Sequence, residues 1–407
     1  MSQYEFISGG LCAAKGFKTS GIHCGIRKNK DKKDLALIYS DVLCSASAVY
    51  TQNKVKGAPI IITQENLKNH KAQAVIVNSG NANTCNADGE EKAKAMCQLC
   101  ADKLGIKESD VIVASTGVIG QVLPIEPIAD HMDELVAALT EESSTDAAEA
   151  IMTTDTKKKE VALQFSLRGK PCVIAGIAKG SGMIHPNMAT MLCFLTTDVA
   201  IGSSMLKKAL RDVANDTFNM ISIDGDTSTN DMVSIMASGK AGNEEICEEG
   251  SDYAIFYSAL KALLTKLSKE IAKDGEGATK LLECQVTGAS DKNCAKVVAK
   301  SVITSSLFKA AMFGADANWG RVLCAVGYAP ADFDIHKVNV KFESSAGLIE
   351  VCKDGAGLEF SEDIAKGILE KDEIIIHIEL GDGAASAIAW GCDLTYDYVK
   401  INGDYRT

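Results

Sequence analysis

The chain has 407 residues and a formal charge of −12, with 46% hydrophobic and 24% charged residues. This composition is that of an ordinary globular protein, and the negative charge argues against attraction to nucleic acid or to an anionic membrane. No apolar run approaches the roughly 18 residues of a membrane span, and the first residues form no signal peptide, so the sequence predicts a cytosolic protein. Length alone allows two domains or one large α/β unit.

The 14 cysteines are expected to be free thiols. Many of them stand in apolar segments, and buried free thiols are the default in a chain without an export signal. Cys97 and Cys100 form a CxxC spacing inside a helical pattern, but no second pair follows at zinc spacing. We therefore predict no metal site.

The amino-terminal part is predicted to be rich in strands. Short apolar runs indicate strands at 35–39, 47–50, 59–62 and 74–77. The basic stretch 27–33 is typical of a solvated hairpin tip. Residues 78–83 follow as a polar loop that asparagine side chains can close.

Next, Asp88 and Gly105 have the residue types that begin and end a helix. A strand at 111–114 then leads into Ser115, Thr116 and Gly117. A backbone N–H beside glycine, next to a hydroxyl, can donate two hydrogen bonds to one oxygen, as the oxyanion of a tetrahedral intermediate requires. Thr-Gly pairs are also common in turns, so the sequence leaves both interpretations open.

The middle of the chain has a helix beginning at Pro127, a hydroxyl-rich segment at 151–156, and two strands, 161–167 and 172–178, paired across a turn. The second strand leads Lys179 into a glycine-rich loop. A lysine in this position is either solvated or able to pair with a substrate carboxylate.

The glycine-rich loop ends at Ala189-Thr190, directly before an apolar run at 191–195 that is typical of a buried strand. Small Ala189 leaves the 189–190 peptide open to attack. If that bond broke, Thr190 would carry its own base, because an α-amine with a pKa of roughly 7.7–8.0 can take the hydroxyl proton. The residues alone favour the alternative, an ordinary loop entering a core strand.

The carboxyl-terminal part has a helix capped by Ser203, a long helix at 256–271, and strands at 338–342 and 374–380. Its acidic loop at 224–231 lacks the glycine and glutamate of an EF-hand, so we expect hydrogen bonding there and no calcium. Glu276 stands between two glycines, where it either receives a substrate ammonium, assists proton transfer, or is a plain loop acid.

Several stretches in order carry a resemblance to a known family: 78–83, 115–117, 180–192, 224–231, 314–321 and 401–407. Together they resemble the glutamate N-acetyltransferase/ornithine acetyltransferase family of arginine biosynthesis, over essentially the whole chain. The resemblance implies a layered α-β-β-α sandwich, which agrees with the mixture of strands and helices. It also implies self-cleavage between Ala189 and Thr190 into two associated chains, 1–189 and 190–407.

In such an enzyme Thr190 attacks the acetyl group of N2-acetyl-L-ornithine, Thr116 and Gly117 hold the oxyanion, and L-glutamate then collects the acetyl group. The implied substrate contacts are Thr153 or its neighbour Thr154, Lys179, Thr190, Glu276, Asn402 and Thr407. No cofactor is implied, the use of acetyl-CoA as a second donor stays open, and the chains are expected to assemble as a heterotetramer of two α and two β chains or larger.

Two alternatives remain from the sequence. An amino-terminal-nucleophile amidohydrolase or aminopeptidase of related fold would pass the acyl group to water. A binding protein without catalysis would use the same pocket in an unbroken chain.

Overall fold

The structure, a computed structural model, describes residues 4–185 and 191–404. The strands in these residues are β1 (Tyr4–Ile7), β2 (Phe17–Ile22), β3 (Leu35–Tyr50), β4 (Lys71–Asn81), β5 (Val111–Val118), β6 (Lys159–Leu167), β7 (Lys170–Lys179), β8 (Leu192–Thr197), β9 (Ile221–Ser222), β10 (Met232–Ala237), β11 (Leu281–Ala289), β12 (Asn339–Ser344), β13 (Gly347–Lys353), β14 (Ala356–Gly357), β15 (Glu373–Glu379) and β16 (Ala385–Cys392). The α-helices are α1 (Ala58–Asn66), α2 (Gly89–Leu104), α3 (Glu126–Ala137), α4 (Thr145–Ala150), α5 (Ser203–Asp216), α6 (Ser251–Lys273), α7 (Lys292–Thr304), α8 (Ser306–Phe313), α9 (Trp319–Gly327), α10 (Glu362–Leu369) and α11 (Tyr396–Asp404).

A nine-stranded sheet has the order β1-β6-β7-β8-β10-β3-β4-β5, with β2 also paired to β3. The long strand β3 changes partners along its length, because residues 35–40 pair with β2 and residues 45–50 pair with β10. Its register with β4 shifts between Tyr39 and Cys44. Strand β8 lies between antiparallel β7 and parallel β10, in the middle of this sheet.

Alternate residues of this sheet face different apolar cores, as the two-residue period of a strand requires. Val75 of β4 and Phe194 of β8 belong to one core, which collects residues from both ends of the sheet. Ile76 instead packs with α2 and α3, and Leu195 packs with α5 and α6. The two ends of this sheet therefore form two β layers around a shared core, with helices outside. The predicted α-β-β-α arrangement is confirmed.

A second, seven-stranded sheet has the order β14-β13-β12-β15-β11-β16-β9. Its inward residues, among them Leu282 and Ile376, share one continuous core with Leu263 of α6 and Val298 of α7. Helix α6 therefore joins the second sheet to the first. Directly after this helix, Asp274 pairs with Lys159 of β6.

Several predicted elements are confirmed. Strands β6 and β7 form the expected antiparallel hairpin, and α2 ends at Gly105, which adopts a left-handed φ of 67°. One prediction was wrong: residues 59–62 lie in helix α1, not in a strand. Pro59 occupies the first turn, where its missing N–H costs nothing, and Ile60 and Ile62 are buried.

Other corrections are smaller. Residues 78–81, predicted as a loop, continue strand β4. Ser203 is the first residue of α5 rather than its cap, and Asp88 makes no side-chain capping bond to α2. The lysines of 27–33 are exposed or half-buried between β2 and β3, as a hairpin tip predicts. In the described ranges we find no helix with the length and apolarity needed to cross a bilayer.

Candidate active site

Six of the predicted site residues line one cavity of about 160 Å³. They come from five separate segments: the end of β5, the loop before β6, the end of β7, the loop after α6, and α11. The residues are Thr116, Gly117, Thr153, Lys179, Glu276 and Asn402. The fold therefore brings together side chains that are up to 286 positions apart in the numbering, from 116 to 402.

The predicted oxyanion donors lie where parallel strands β4 and β5 end. Gly117 pairs with Gly80 and has a φ of +133°, and a Cβ at position 117 would stand 2.3 Å from the Gly80 carbonyl carbon. Only glycine fits both the conformation and the space. The Thr116 hydroxyl accepts a hydrogen bond from the Lys179 Nζ at 3.4 Å.

The residue before this pair is held from two sides. The Ser115 hydroxyl donates to Asn78 Oδ1 across 2.5 Å, and its carbonyl accepts from Asn230 Nδ2 across 3.0 Å. Asn230 also donates to Ala82 at 2.6 Å and accepts from the Thr84 hydroxyl at 2.6 Å. Asn230 of the acidic loop before β10 thus holds the residue that precedes the predicted oxyanion donors.

Lys179 ends β7 and is only 8% exposed. Burial lowers the pKa of its ammonium, while the Asp155 and Asp231 carboxyls act in the opposite direction. Asp231 is buried, and burial raises the pKa of its carboxyl well above the usual range. Among the residues that the structure describes, its Oδ2 has no hydrogen-bond partner. The cavity therefore has a buried lysine at its wall, and a lysine can bind an anionic substrate group.

Glu276 and Asn402 also line the cavity. Asn402 Nδ2 donates to Glu276 Oε2 across 2.7 Å, and the Glu276 N–H donates to the Ser181 carbonyl across 2.9 Å. The flanking Gly277 has a φ of +70°, and a Cβ there would stand 2.7 Å from the Tyr398 nitrogen. Helix α11 can approach this loop closely because the loop residue is glycine.

The glycine-rich loop is fixed up to its last described residue before the gap. Asp224 accepts the N–H groups of Met183 and Ile184 at 2.6 and 2.9 Å, and His185 Nδ1 is 3.1 Å from the Ser222 hydroxyl. Burial, together with the charge of Lys300, lowers the pKa of His185 to about 4. His185 is therefore neutral near pH 7.

Three predicted site residues, Ala189, Thr190 and Thr407, lie outside the described residues. Met191, the first described residue after the gap, is buried, and its carbonyl accepts the N–H of Met232 at 2.9 Å. Both Thr153 and Thr154 line the cavity, so the choice between them stays a prediction.

A second cavity, of about 700 Å³, lies beyond the segment 274–278. It is larger, but none of the predicted site residues lines it, and it carries lysines and carboxylates in mixture. Within residues 4–185 and 191–404, no group of three His, Cys, Asp or Glu side chains has a geometry suited to a metal ion. Cys97 and Cys100 are both buried, and burial raises the pKa of their thiols.

Two buried polar residues that build the site, Asp155 and Asn230, were not predicted as site residues from the sequence. They lie inside the segments 151–156 and 224–231, which were predicted to contribute to the site. The available signal was the presence of Asp and Asn in hydroxyl-rich loops next to apolar strands, where such side chains commonly bind backbone groups.

The layers and the cavity define an α-β-β-α sandwich protein with a polar small-molecule site where strand ends, the loop after α6 and the last helix meet. Residues 18–407 match the model of the ArgJ family. The chain belongs to this family.

Two relatives resemble this chain over nearly their whole length. The "Arginine biosynthesis bifunctional protein ArgJ" of Caldanaerobacter subterraneus subsp. tengcongensis is 49% identical, over 99% of this chain and 100% of that protein. The "Arginine biosynthesis bifunctional protein ArgJ 1" of Clostridium acetobutylicum is 50% identical, over 96% of each. A crystal structure of arginine biosynthesis bifunctional protein ArgJ from Bacillus halodurans matches with a TM-score of 0.50 and 47% identity, over 52% of this chain and 98% of that one.

Proposed function

We propose that the protein transfers the acetyl group from N2-acetyl-L-ornithine to L-glutamate through an acetyl ester of Thr190. The observation that carries this proposal is the shared cavity: an oxyanion-type pair, Thr116 and Gly117, faces the same space as a buried lysine and a buried carboxylate. Membership of a family named for arginine biosynthesis supports the choice of substrates.

The first step of the proposal is maturation of the chain. The Thr190 hydroxyl attacks the Ala189 carbonyl, the amide becomes an ester, and water hydrolyses the ester to leave the Ala189 carboxylate and a free Thr190 amine. Two chains result, 1–189 and 190–407. They are expected to stay together, because β8 and β10 of the second chain pair with β7 and β3 of the first.

In transfer, the Thr190 hydroxyl attacks the acetyl carbonyl while its α-amine takes the proton. The Thr116 hydroxyl and the Gly117 N–H stabilise the oxyanion, and the proton passes to the departing amine of ornithine. The amine of glutamate then attacks the acetyl ester, and N-acetylglutamate leaves with the enzyme regenerated. No cofactor takes part in this exchange.

The remaining cavity residues are assigned to substrate recognition. Lys179 binds a substrate carboxylate, and Glu276, fixed by Asn402, receives a substrate ammonium. Thr153 and Thr407 complete the proposed contacts. The relatives are called bifunctional, and we therefore include acetyl-CoA as a second acetyl donor to glutamate.

The test is a stoichiometric assay with N-acetylornithine and glutamate as the two substrates. We expect one N-acetylglutamate for each ornithine released. Ornithine release without a matching yield of N-acetylglutamate would identify a hydrolase and contradict the proposal. A parallel assay with acetyl-CoA and glutamate tests the second donor separately.

A further inference from the structure

Lys159, the first residue of β6, has its ammonium buried between two carboxylates. Its Nζ lies 2.7 Å from Asp155 Oδ1 and 2.7 Å from Asp274 Oδ2, and its side chain is only 2% exposed. Burying three charges is costly unless each is paired and hydrogen-bonded. We call these three residues the Lys159 cluster. None of them lines the 160 Å³ cavity.

Asp155, the first carboxylate of the Lys159 cluster, binds the backbone at two places beside the cavity. Asp155 Oδ2 accepts the N–H of Thr153 at 3.0 Å, and Oδ1 accepts the N–H of Gly180 at 2.7 Å. Gly180 follows Lys179 directly. One carboxylate therefore fixes the backbone beside two of the predicted substrate contacts.

Asp274, the second carboxylate of the cluster, is connected to the part of the cavity wall that carries Glu276. The Ser181 hydroxyl donates to the Asp274 carbonyl across 2.7 Å, and the Ser181 carbonyl accepts the N–H of Glu276 across 2.9 Å. The Asp274 carboxylate itself accepts the N–H of Thr156 at 3.1 Å. Lys159 thus connects the segment after α6 to the loop before β6.

We propose that the Lys159 cluster positions Thr153, Lys179 and Glu276 for substrate binding in the acetyl transfer assigned above. It acts through backbone contacts and touches no substrate, so its members are positioning residues. The inference rests on the proposed function, because it assigns these three walls to one bound substrate. Asp155 binds the backbone at Thr153 and beside Lys179 directly, and Asp274 is connected to Glu276 through Ser181.

The cluster also affects the charge of Lys179. Burial lowers the pKa of this ammonium, the carboxyls of Asp155 and Asp231 raise it, and the cations of Lys159 and Arg27 lower it further. Asp155→Asn removes one of the two carboxyls, so the pKa of Lys179 falls. Its positive charge, and with it the affinity for a substrate carboxylate, is then lost at a lower pH.

The test compares Asp155→Asn with a matched variant, Asp198→Asn. Asp198 is also a buried carboxylate that accepts two backbone N–H bonds, from Val173 at 2.8 Å and from Lys15 at 3.4 Å. It follows β8 at the strand end opposite to Met191, away from the cavity. Asp155→Asn is expected to lose more stability than Asp198→Asn, because Asp155 is ion-paired with the buried Lys159, so KM is compared under conditions where both variants are folded.

Of these two variants, Asp155→Asn alone is expected to raise the KM for N-acetylornithine, by about tenfold, as the loss of one charge-assisted contact implies. It should also move the alkaline limb of the kcat/KM profile to lower pH. Asp274→Asn removes the carboxylate that joins Lys159 to the segment after α6, so it should raise KM as well. It keeps the Lys159–Asp155 pair, so it should leave the alkaline limb of the kcat/KM profile in place. Rates are expressed per cleaved molecule, counted by denaturing electrophoresis.

An Asp155→Asn enzyme with the KM and pH profile of Asp198→Asn would overturn the inference. If Asp155→Asn does not fold, Asp274→Asn decides, since an unchanged KM in that variant also overturns it. Wild-type protein is assayed first, and its failure to transfer acetyl groups would instead contradict the proposed function.

Discussion

The side-chain amide of Asn402 donates a hydrogen bond to the Glu276 carboxylate across 2.7 Å, and so ties the last described helix to the loop after α6. None of the residues 396–404 that form this helix is fully buried. Its attachment depends on a few contacts, among them the Thr395 hydroxyl bonded to the Gly277 carbonyl at 2.7 Å. Asn402 therefore attaches this helix to one of the predicted site residues.

Replacing Asn402 with alanine should weaken substrate binding. The variant loses a hydrogen bond to a charged group, worth about 1.5 kcal/mol, and the KM for N-acetylornithine should rise by roughly tenfold with a smaller change in kcat. Steady-state kinetics measures the effect. Val399→Ala, at a position 68% exposed on the same helix, is the control and should leave KM unchanged. Equal KM values in the two variants would contradict the assignment of Asn402.

Gly117→Ala should damage catalysis more than binding. The new Cβ meets the Gly80 carbonyl carbon at 2.3 Å, so the peptide that carries the proposed oxyanion N–H must move. Loss of one oxyanion donor lowers kcat on the order of 10²–10³-fold. Gly105→Ala is the control, since Gly105 also has a positive φ, of +67°, but open space around it. A Gly117→Ala enzyme with normal kcat would rule out this oxyanion pair.

Asn230→Ala should weaken the support of the same segment, which carries the proposed oxyanion donors. The Asn230 side chain bonds Ala82, Ser115 and Thr84 while buried, so its removal should lower the free energy of unfolding by about 2–3 kcal/mol. We expect kcat to fall as well, because Ser115 precedes Thr116. Urea unfolding and kinetics are measured on the same preparation. Lost stability with unaltered kcat would limit Asn230 to a folding role.

Much of the fold could be predicted from hydrophobic period and glycine position. The β6–β7 hairpin, the end of α2 at Gly105 and the long helix α6 all follow from local patterns. The run 59–62 could not be assigned in this way, because four apolar residues fit a strand or a buried helix equally well. Its contact with β5 and the proline in its first turn decide for the helix.

The site could be predicted only where the family resemblance supplied the residues. Thr116, Lys179, Glu276 and Asn402 do meet in one cavity, but no local pattern indicates that they would. Lys159 is the third of three consecutive lysines, a pattern that predicts solvent-exposed side chains. Its burial between two carboxylates depends on contacts 115 positions apart, which a single sequence does not show.

His185 should make stability depend on pH between about 4 and 6.5. Its pKa is lowered from 6.5 to about 4 in the folded chain, so the unfolded chain binds a proton in this window and the folded chain does not. Stability therefore falls as pH drops through 6.5 towards 4, by about 1–3 kcal/mol for a partly exposed group. The free energy of unfolding, measured with urea, should differ less between pH 4.5 and pH 7 in His185→Gln than in the wild type. An identical difference in both proteins would contradict the lowered pKa.

The most direct test of the central claim is the mass of the purified chains, read together with their terminal sequences. The account predicts two associated polypeptides, one ending at Ala189 and one beginning at Thr190, in wild-type protein that transfers acetyl groups. It predicts a single, inactive polypeptide for Thr190→Ala. A fully active wild-type preparation that contains only the unbroken chain would contradict the account.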